Sequence, residues 1–259
     1  MSSNQNYSVS APRATLPRRL ERPPHSAHSA ARATLDALAP NLVELPIPFI
    51  HHQLTLHAAR MLAGLDALLV SNTIPLPLPS TLAVGIPRDA VASDAQRLYP
   101  THILAVVPPS TPPDALVPLV PIHGIVLATH CTSPLLRSLL APQPPEILAA
   151  LVIPVCRVSL PSPYAFLILA PPAQRLPSPM GHAAGRAALG SRAEIVRLAT
   201  HLMEAHSGLA HLVGYSTRMR EVWQTACCLG MYQISLWDAL DLAWEVVLYS
   251  LNLAGKDEA

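Results

Sequence analysis

The sequence predicts an α/β chain of the α+β kind, mostly helical, with a small sheet, flanking helices and a carboxy-terminal helical region. Three observations predict it. Ala115 to Leu136 is apolar, carries no formal charge, and reads as an extended run, then a His-led helix, then a Ser-Pro helix start. Apolar residues recur at spacings of three and four between Ile50 and Leu69, and again beyond Ser191. The 29 prolines cluster and cut the intervening chain into short elements.

Residues 1–30 read as a disordered basic arm of Pro, Ser and Arg without periodicity. Residues 31–170 read as an α/β core. Ile50, Leu54, Ala58, Met61, Leu62, Leu65 and Leu69 form one stripe of a long helix, which the proline run at 75–79 ends. A shorter helix is expected over Asp89 to Tyr99, and a buried strand over His102 to Val107. Leu116 to Val120 reads as a strand and Gly124 to Cys131 as a short buried helix. Ser133-Pro134 fits an N-cap with proline in the first helical position. Leu151 to Val158 reads as a strand, with Pro154 marking an edge or bulge. Tyr164 to Leu169 begins another buried helix.

Residues 171–190 are a Pro/Gly linker by composition. Residues 191–254 are expected to be all helix. Ser191 and Glu194 make a capping box, and Ile195, Leu198, Ala199 and Leu202 follow on one face. Met219, Val222, Trp223, Ala226 and Leu229 form the next stripe, closed by Gly230. Ser235 with Asp238 resembles a second box. Leu236, Leu240, Trp244, Val247, Leu248 and Leu251 line the last helix, with Trp237 beside them.

Composition excludes several functions. A chain of 259 residues can bury a sizeable core. Only 13% of its residues are charged against 51% hydrophobic, so its surface is poorly solvated alone and association is expected. The net charge of +1 supplies no global attraction to nucleic acid or membrane. Pro118, Pro121 and Pro134, with His123 and His130, argue against a lipid-exposed helix in the apolar run, so no membrane span is predicted. Four cysteines are too few for a disulfide scaffold and read as reduced thiols of a nuclear or cytoplasmic protein. Pro17-Arg18-Arg19-Leu20-Glu21-Arg22 is the kind of basic run that an import factor takes. The Ser/Arg-rich start leaves a mitochondrial address as the alternative.

No spacing assembles a reactive site. His201, His206 and His211 recur every five residues, about 140° around a helix, and do not converge on a metal. His51, His52 and His57 have no Cys or acid at useful spacing. His130 and Cys131 are neighbours that point apart, and His123 reads as a core residue beside them. Asp238, Asp241 and Glu245 read as a solvated face. The arginines are scattered without an aromatic platform. The sequence thus predicts no catalytic residue, no cofactor and no metal site.

Pro121-Ile-His-Gly-Ile-Val-Leu-Ala-Thr-His-Cys131 resembles the core of the BTB/POZ family, a strand followed by a His-led helix, with His123 at the His position and Val126, Leu127 and Ala128 on the buried helix. Val158 to Leu169, VSLPSPYAFLIL, resembles the strand and helix that follow; Cys131 stands for the usual Ser, and the Tyr-Thr-Gly after the second helix is missing. The layout, with the tail Leu236 to Ala254, LWDALDLAWEVVLYSLNLA, is similar to the clampless-type developmental proteins of basidiomycete fungi. That resemblance implies a non-catalytic regulator of sexual development, acting in clamp-cell formation and the mating-type pathway. It also implies nuclear location and protein partners, transcription regulators among them. The BTB/POZ likeness implies pairing through a flanking helix, a homodimer included, with Met61 and Leu65 as the partner-binding candidates. An enzyme built from dispersed His and Cys, and a mitochondrial or membrane-associated protein, stay open as alternatives.

Overall fold

The computed structural model describes residues 17, 20–22, 28–85, 98–140, 152–174, 191–205 and 209–257. The chain is α+β. Helices α1 (His28–Leu38) and α2 (Ile47–Asp66) precede two short strands, β1 (Thr73–Pro75) and β2 (Thr81–Ala83). Then come β3 (His102–Val106), β4 (Leu116–Ile122), α3 (Gly124–His130), α4 (Pro134–Leu139), β5 (Val152–Val158) and α5 (Pro163–Gln174). Helices α6 (Arg192–Ala205), α7 (Leu209–Leu229) and α8 (Ile234–Asp257) complete the described chain.

The sheet has the order β1-β4-β3-β5-β2. Its centre, β3, pairs antiparallel with β4 and parallel with β5. All five β3 residues are buried, because each face of the strand meets its own cluster. Leu104 and Val106 join Val120, Ile122, Cys156 and Val158 beneath the helices. Ile103 and Ala105 join Val117, Leu119 and Ile153 on the opposite face. Period-two alternation thus gives one strand two apolar sides, and each large side chain buried there contributes about 1.5–3 kcal/mol.

The second face is covered by the segment from Leu68 to Val84, with Ile74, Leu76, Leu78 and Leu82 turned onto it. This segment leaves the β4 edge as β1 and reaches the β5 edge as β2. The proline run at 75–79 therefore spans the sheet and does not terminate α2, which ends at Asp66. Proline suits the task because the crossing chain needs few ladder hydrogen bonds. Pro154 also departs from the sequence expectation. It lies on β5 between β3 and β2, opposite Thr81, and not on an edge. Val155 N–H, next to it, reaches Ser80 O at 2.9 Å.

Three helix expectations need adjustment. Leu98 and Tyr99 are not helical, and the rest of the helix expected over 89–99 lies outside the described residues. Helix α5 runs through Pro171 and Pro172 to Gln174, so the linker expected from 171 begins no earlier than 175. Ser235 lies inside α8, which starts at Ile234. Half of the capping box expected at Ser191 forms: its Oγ accepts Glu194 N–H at 3.2 Å, while the Glu194 carboxylate turns to Arg197. At Ser133 the helix follows as expected, without a side-chain cap.

The α7–α8 turn is a Schellman cap. Gly230 has φ +63°, Met231 N–H reaches Ala226 O at 3.0 Å, and Gly230 N–H reaches Cys227 O at 3.0 Å. A Cβ on Gly230 would lie 2.4 Å from Thr132 Oγ1. The turn is stitched to the segment after α3: Thr132 N–H donates to Gly230 O at 3.0 Å, and Ser133 N–H to Leu229 O at 3.1 Å.

Glycine on α2 has a different task. A Cβ on Gly64 would sit 1.8 Å from Leu98 O, where the returning backbone crosses the helix and Leu98 N–H reaches Arg60 O at 3.0 Å. Gly214 on α7 has nothing within 4 Å of the same position. Gly64→Ala should destabilise by about 1–3 kcal/mol or more, whereas Gly214→Ala should stabilise by about 0.5–1 kcal/mol through helix propensity. Urea unfolding midpoints of the two variants check this; equal effects would refute the crossing.

Candidate interaction site

Of the residues that the sequence singled out, His123, His130 and Cys131 lie in the core. His123 is buried at the start of α3, and its Nε2 meets Met61 O at 3.1 Å, which ties α2 to α3. Burial lowers its pKa against the opposing effect of that bond. His130 is buried at the end of α3; its ring stacks on His51 of α2, with centroids 4.6 Å apart. Its Nδ1 meets Gln233 Nε2 at 2.6 Å, and its Nε2 has no partner among the described residues. Burial, with the neighbouring His51 adding to it, pushes its pKa down to about 3. His51 Nε2 and the Tyr232 hydroxyl both meet Thr129 O. Burial holds the Tyr232 hydroxyl up at about 12, and the Cys131 side chain adds to this.

Cys131 is fully buried, and burial pushes its thiol far above the usual range. Cys156 donates to Leu139 O at 3.0 Å. Neither is placed to act as a thiolate. His52, His57, His201 and His211 are exposed, and His206 lies outside the described residues. Among the described residues, no three His, Cys, Asp or Glu side chains come together. The arrangement is a polar knot that fastens α2, α3 and the α7–α8 turn.

Met61 and Leu65 lie apart in role. Met61 is 3% exposed and belongs to the core, so as placed it packs inside the chain and offers no contact surface. Leu65, one turn on, is half-buried. The stripe that contains them is the inner face of α2 as far as Leu65; Leu69, expected on it, lies beyond the helix and is 66% exposed.

A groove that the sequence did not signal lies where α5, α7 and α8 meet. It encloses about 340 Å³ between Tyr164 and Ile168 on one side, Tyr215 and Met219 on another, and Leu236 and Ala243 below. Tyr164, Leu167 and Ile168 are each more than 40% exposed, although their stretch reads as a buried helix. Ser162 caps that helix by accepting Ala165 N–H at 3.3 Å, which turns Ala165, Phe166 and Leu169 inward and leaves the three outward. Arg218 lies over both tyrosine rings, 5.6 Å from the Tyr164 centroid and 5.9 Å from that of Tyr215. The two rings thus hold one guanidinium in place. Residues 164 and 218 are too distant in sequence for pattern reading to pair them. Among the described residues, no helix is long and apolar enough to cross a membrane.

The pKa of His130 sets a pH response. The folded value lies below the ordinary one, so the unfolded chain takes up the proton first as pH falls. The stability from neutral His130 is complete above about pH 6.5 and is lost as the pH falls toward 3, at up to about 1.4 kcal/mol per pH unit. Unfolding by urea between pH 7.5 and 5 should show His130→Asn with a shallower loss than the wild type. Equal slopes would contradict the buried neutral state.

No curated protein and no solved structure matches the chain. The family model described as the clampless protein 1 N-terminal domain matches residues 23–161, more than half of the chain. The model described as the clampless protein 1 C-terminal domain matches residues 133–259. The two share 133–161, the stretch that contains α4 and β5. The chain belongs to the clampless protein 1 family, and that membership indicates a role in development at clamp formation.

Proposed function

We propose that this chain is a non-catalytic protein-interaction regulator of fungal sexual development, acting at clamp-cell formation in the mating-type pathway, in the nucleus or cytoplasm. The observation that carries the reading is the groove between α5, α7 and α8. Two large side chains of α5, Tyr164 and Ile168, stand exposed at its rim, and a guanidinium is held between two tyrosines beside it. Apolar residues on a rigid helix with one fixed cation suit the apolar face of a partner helix that carries an acid near its centre. A transcription regulator is a partner of this kind. The burial of His123, His130 and Cys131 supports the non-catalytic part of the reading, because a nucleophile or base must reach a substrate. Pairing through α2, as in BTB/POZ cores, has less support with Met61 in the core.

Ile168→Asp combined with Arg218→Glu tests this. Both side chains lie at the surface, so the thermal midpoint should move by no more than a few degrees. In a strain that lacks the native chain, the wild type should restore clamp cells, and the double variant should restore them at about a tenth of that frequency or less. Restoration at wild-type frequency by a folded double variant would remove the groove from the function.

A further inference from the structure

The segment before α1 occupies a second face of α7 and α8. Of residues 1–30, expected to form a free arm, Pro17 and Leu20 to Arg22 are held there. Trp244 Nε1–H donates to Pro17 O at 3.0 Å, and Trp223 Nε1–H to Glu21 O at 2.8 Å. Leu20 is 6% exposed. Arg22 forks onto two carboxylates, with Nε on Asp241 Oδ2 at 3.0 Å and Nη2 on Asp238 Oδ1 at 2.9 Å. Asp238 and Asp241, expected to be a solvated face, are therefore an arginine receptor. Helical periodicity places them on the far side of α8 from Ala239 and Ala243, which line the groove.

The contacts read a short peptide pattern. Two indole donors meet carbonyls four residues apart, an apolar recess takes a leucine, and an acidic pair takes an arginine two residues later. The surface is incomplete when bare. Trp244 is 1% exposed with the segment in place, so removal of the segment takes away the acceptor of its indole N–H and uncovers the surface on which Leu20 packs. The Arg22 pairs are partly exposed and weakened by salt, and the segment is tied to α1 by only residues 23–27. A contact of this kind is held mainly by the high local concentration that a short tether supplies.

We propose that this face of α7 and α8 is a recognition site for peptides with the Leu-x-Arg pattern, occupied in cis by Pro17 and by Leu20 to Arg22, and that a partner protein carrying the pattern binds by displacing them. The cis segment multiplies the affinity for the partner by the fraction of time the site stands open. Weak partners are thereby excluded.

A fluorescent peptide with the sequence of residues 14–25, titrated by anisotropy against the full-length chain, tests the proposal. It should bind the chain carrying Leu20→Asp and Arg22→Glu about tenfold or more tightly than the wild type. Asp238→Arg with Asp241→Arg in that background should abolish binding, and Ile168→Asp should not. Equal binding to the first two chains, binding that survives the aspartate changes, or no binding overturns the proposal. A second arrangement avoids changes to the segment. A protease sequence replaces residues 23–27 in the otherwise wild-type chain, and after cleavage the arm should remain attached on gel filtration at about tens of micromolar. Excess peptide should chase it off, and the same peptide with Arg22→Glu should not. Immediate separation, or chase by both peptides alike, overturns the proposal. So does a dimer of the uncut chain that Asp238→Arg abolishes, because the occupant would then be the arm of a second copy.

Discussion

Two backbone hydrogen bonds, from Thr132 and Ser133 to Gly230 and Leu229, join the halves of this molecule. They require the chain to turn sharply at Gly230, in a conformation that L side chains rarely adopt, with Thr132 in contact where a Cβ would stand. On one side of this stitch lie the sheet and α3. On the other lie the two longest helices of the described chain, α7 and α8. Trp237 enters the shared core one turn into α8, with its Nε1–H on Met231 O at 2.9 Å. The polar knot of His51, His130, Gln233 and Tyr232 closes the same seam. Two halves joined by main-chain bonds and one apolar cluster respond to strain together, because close-packed interiors do not deform gradually.

The sheet explains why a chain with so few charges stays ordered around a small strand core. The centre of the sheet, β3, is apolar on both faces. One face is met by helices and the other by a proline-rich crossing segment that brings Leu76 and Leu78 down onto it. Both edges of the three-strand centre are then capped by strands of only three residues, β1 and β2, which leave little free edge for another chain to pair with.

Helix α8 serves three surfaces. Trp237 and Leu240 face the common core, Leu236 and Ala243 line the groove with α5 and α7, and Asp238 and Asp241 hold Arg22. A helix used on nearly its whole circumference tolerates little substitution, and it links the condition of one surface to the geometry of the next. The chain therefore closes on itself: its amino-terminal segment rests on its last helix, while α1 lies against α3 and α4. The match of two family domains that overlap on α4 and β5 fits this layout, because β5 is a central strand for one region and the entry to the helices of the other.

Periodicity and punctuation by themselves determined the α+β class, the long inner stripe of α2, the buried strands at 102 and 116, the His-led helix at 124, and the caps at Ser191 and Gly230. These depend on residues within a few positions of each other, where burial and hydrogen bonding are decided locally. The core placement of His123, His130 and Cys131 was legible for the same reason, since they sit in an uninterrupted apolar run. Tertiary structure alone decided the rest. Three-residue strands carry too little pattern to announce themselves, so a proline run that reads as a helix stop became the cover of a sheet. Tyr164, Tyr215 and Arg218 form one site only because α5 docks on α7. Arg22 finds Asp238 and Asp241 across more than two hundred residues, and an apolar stripe such as that of Met61 reads the same whether it faces a partner or its own core. Such pairings are set by how elements dock, and docking geometry leaves no spacing in the chain from which to read it.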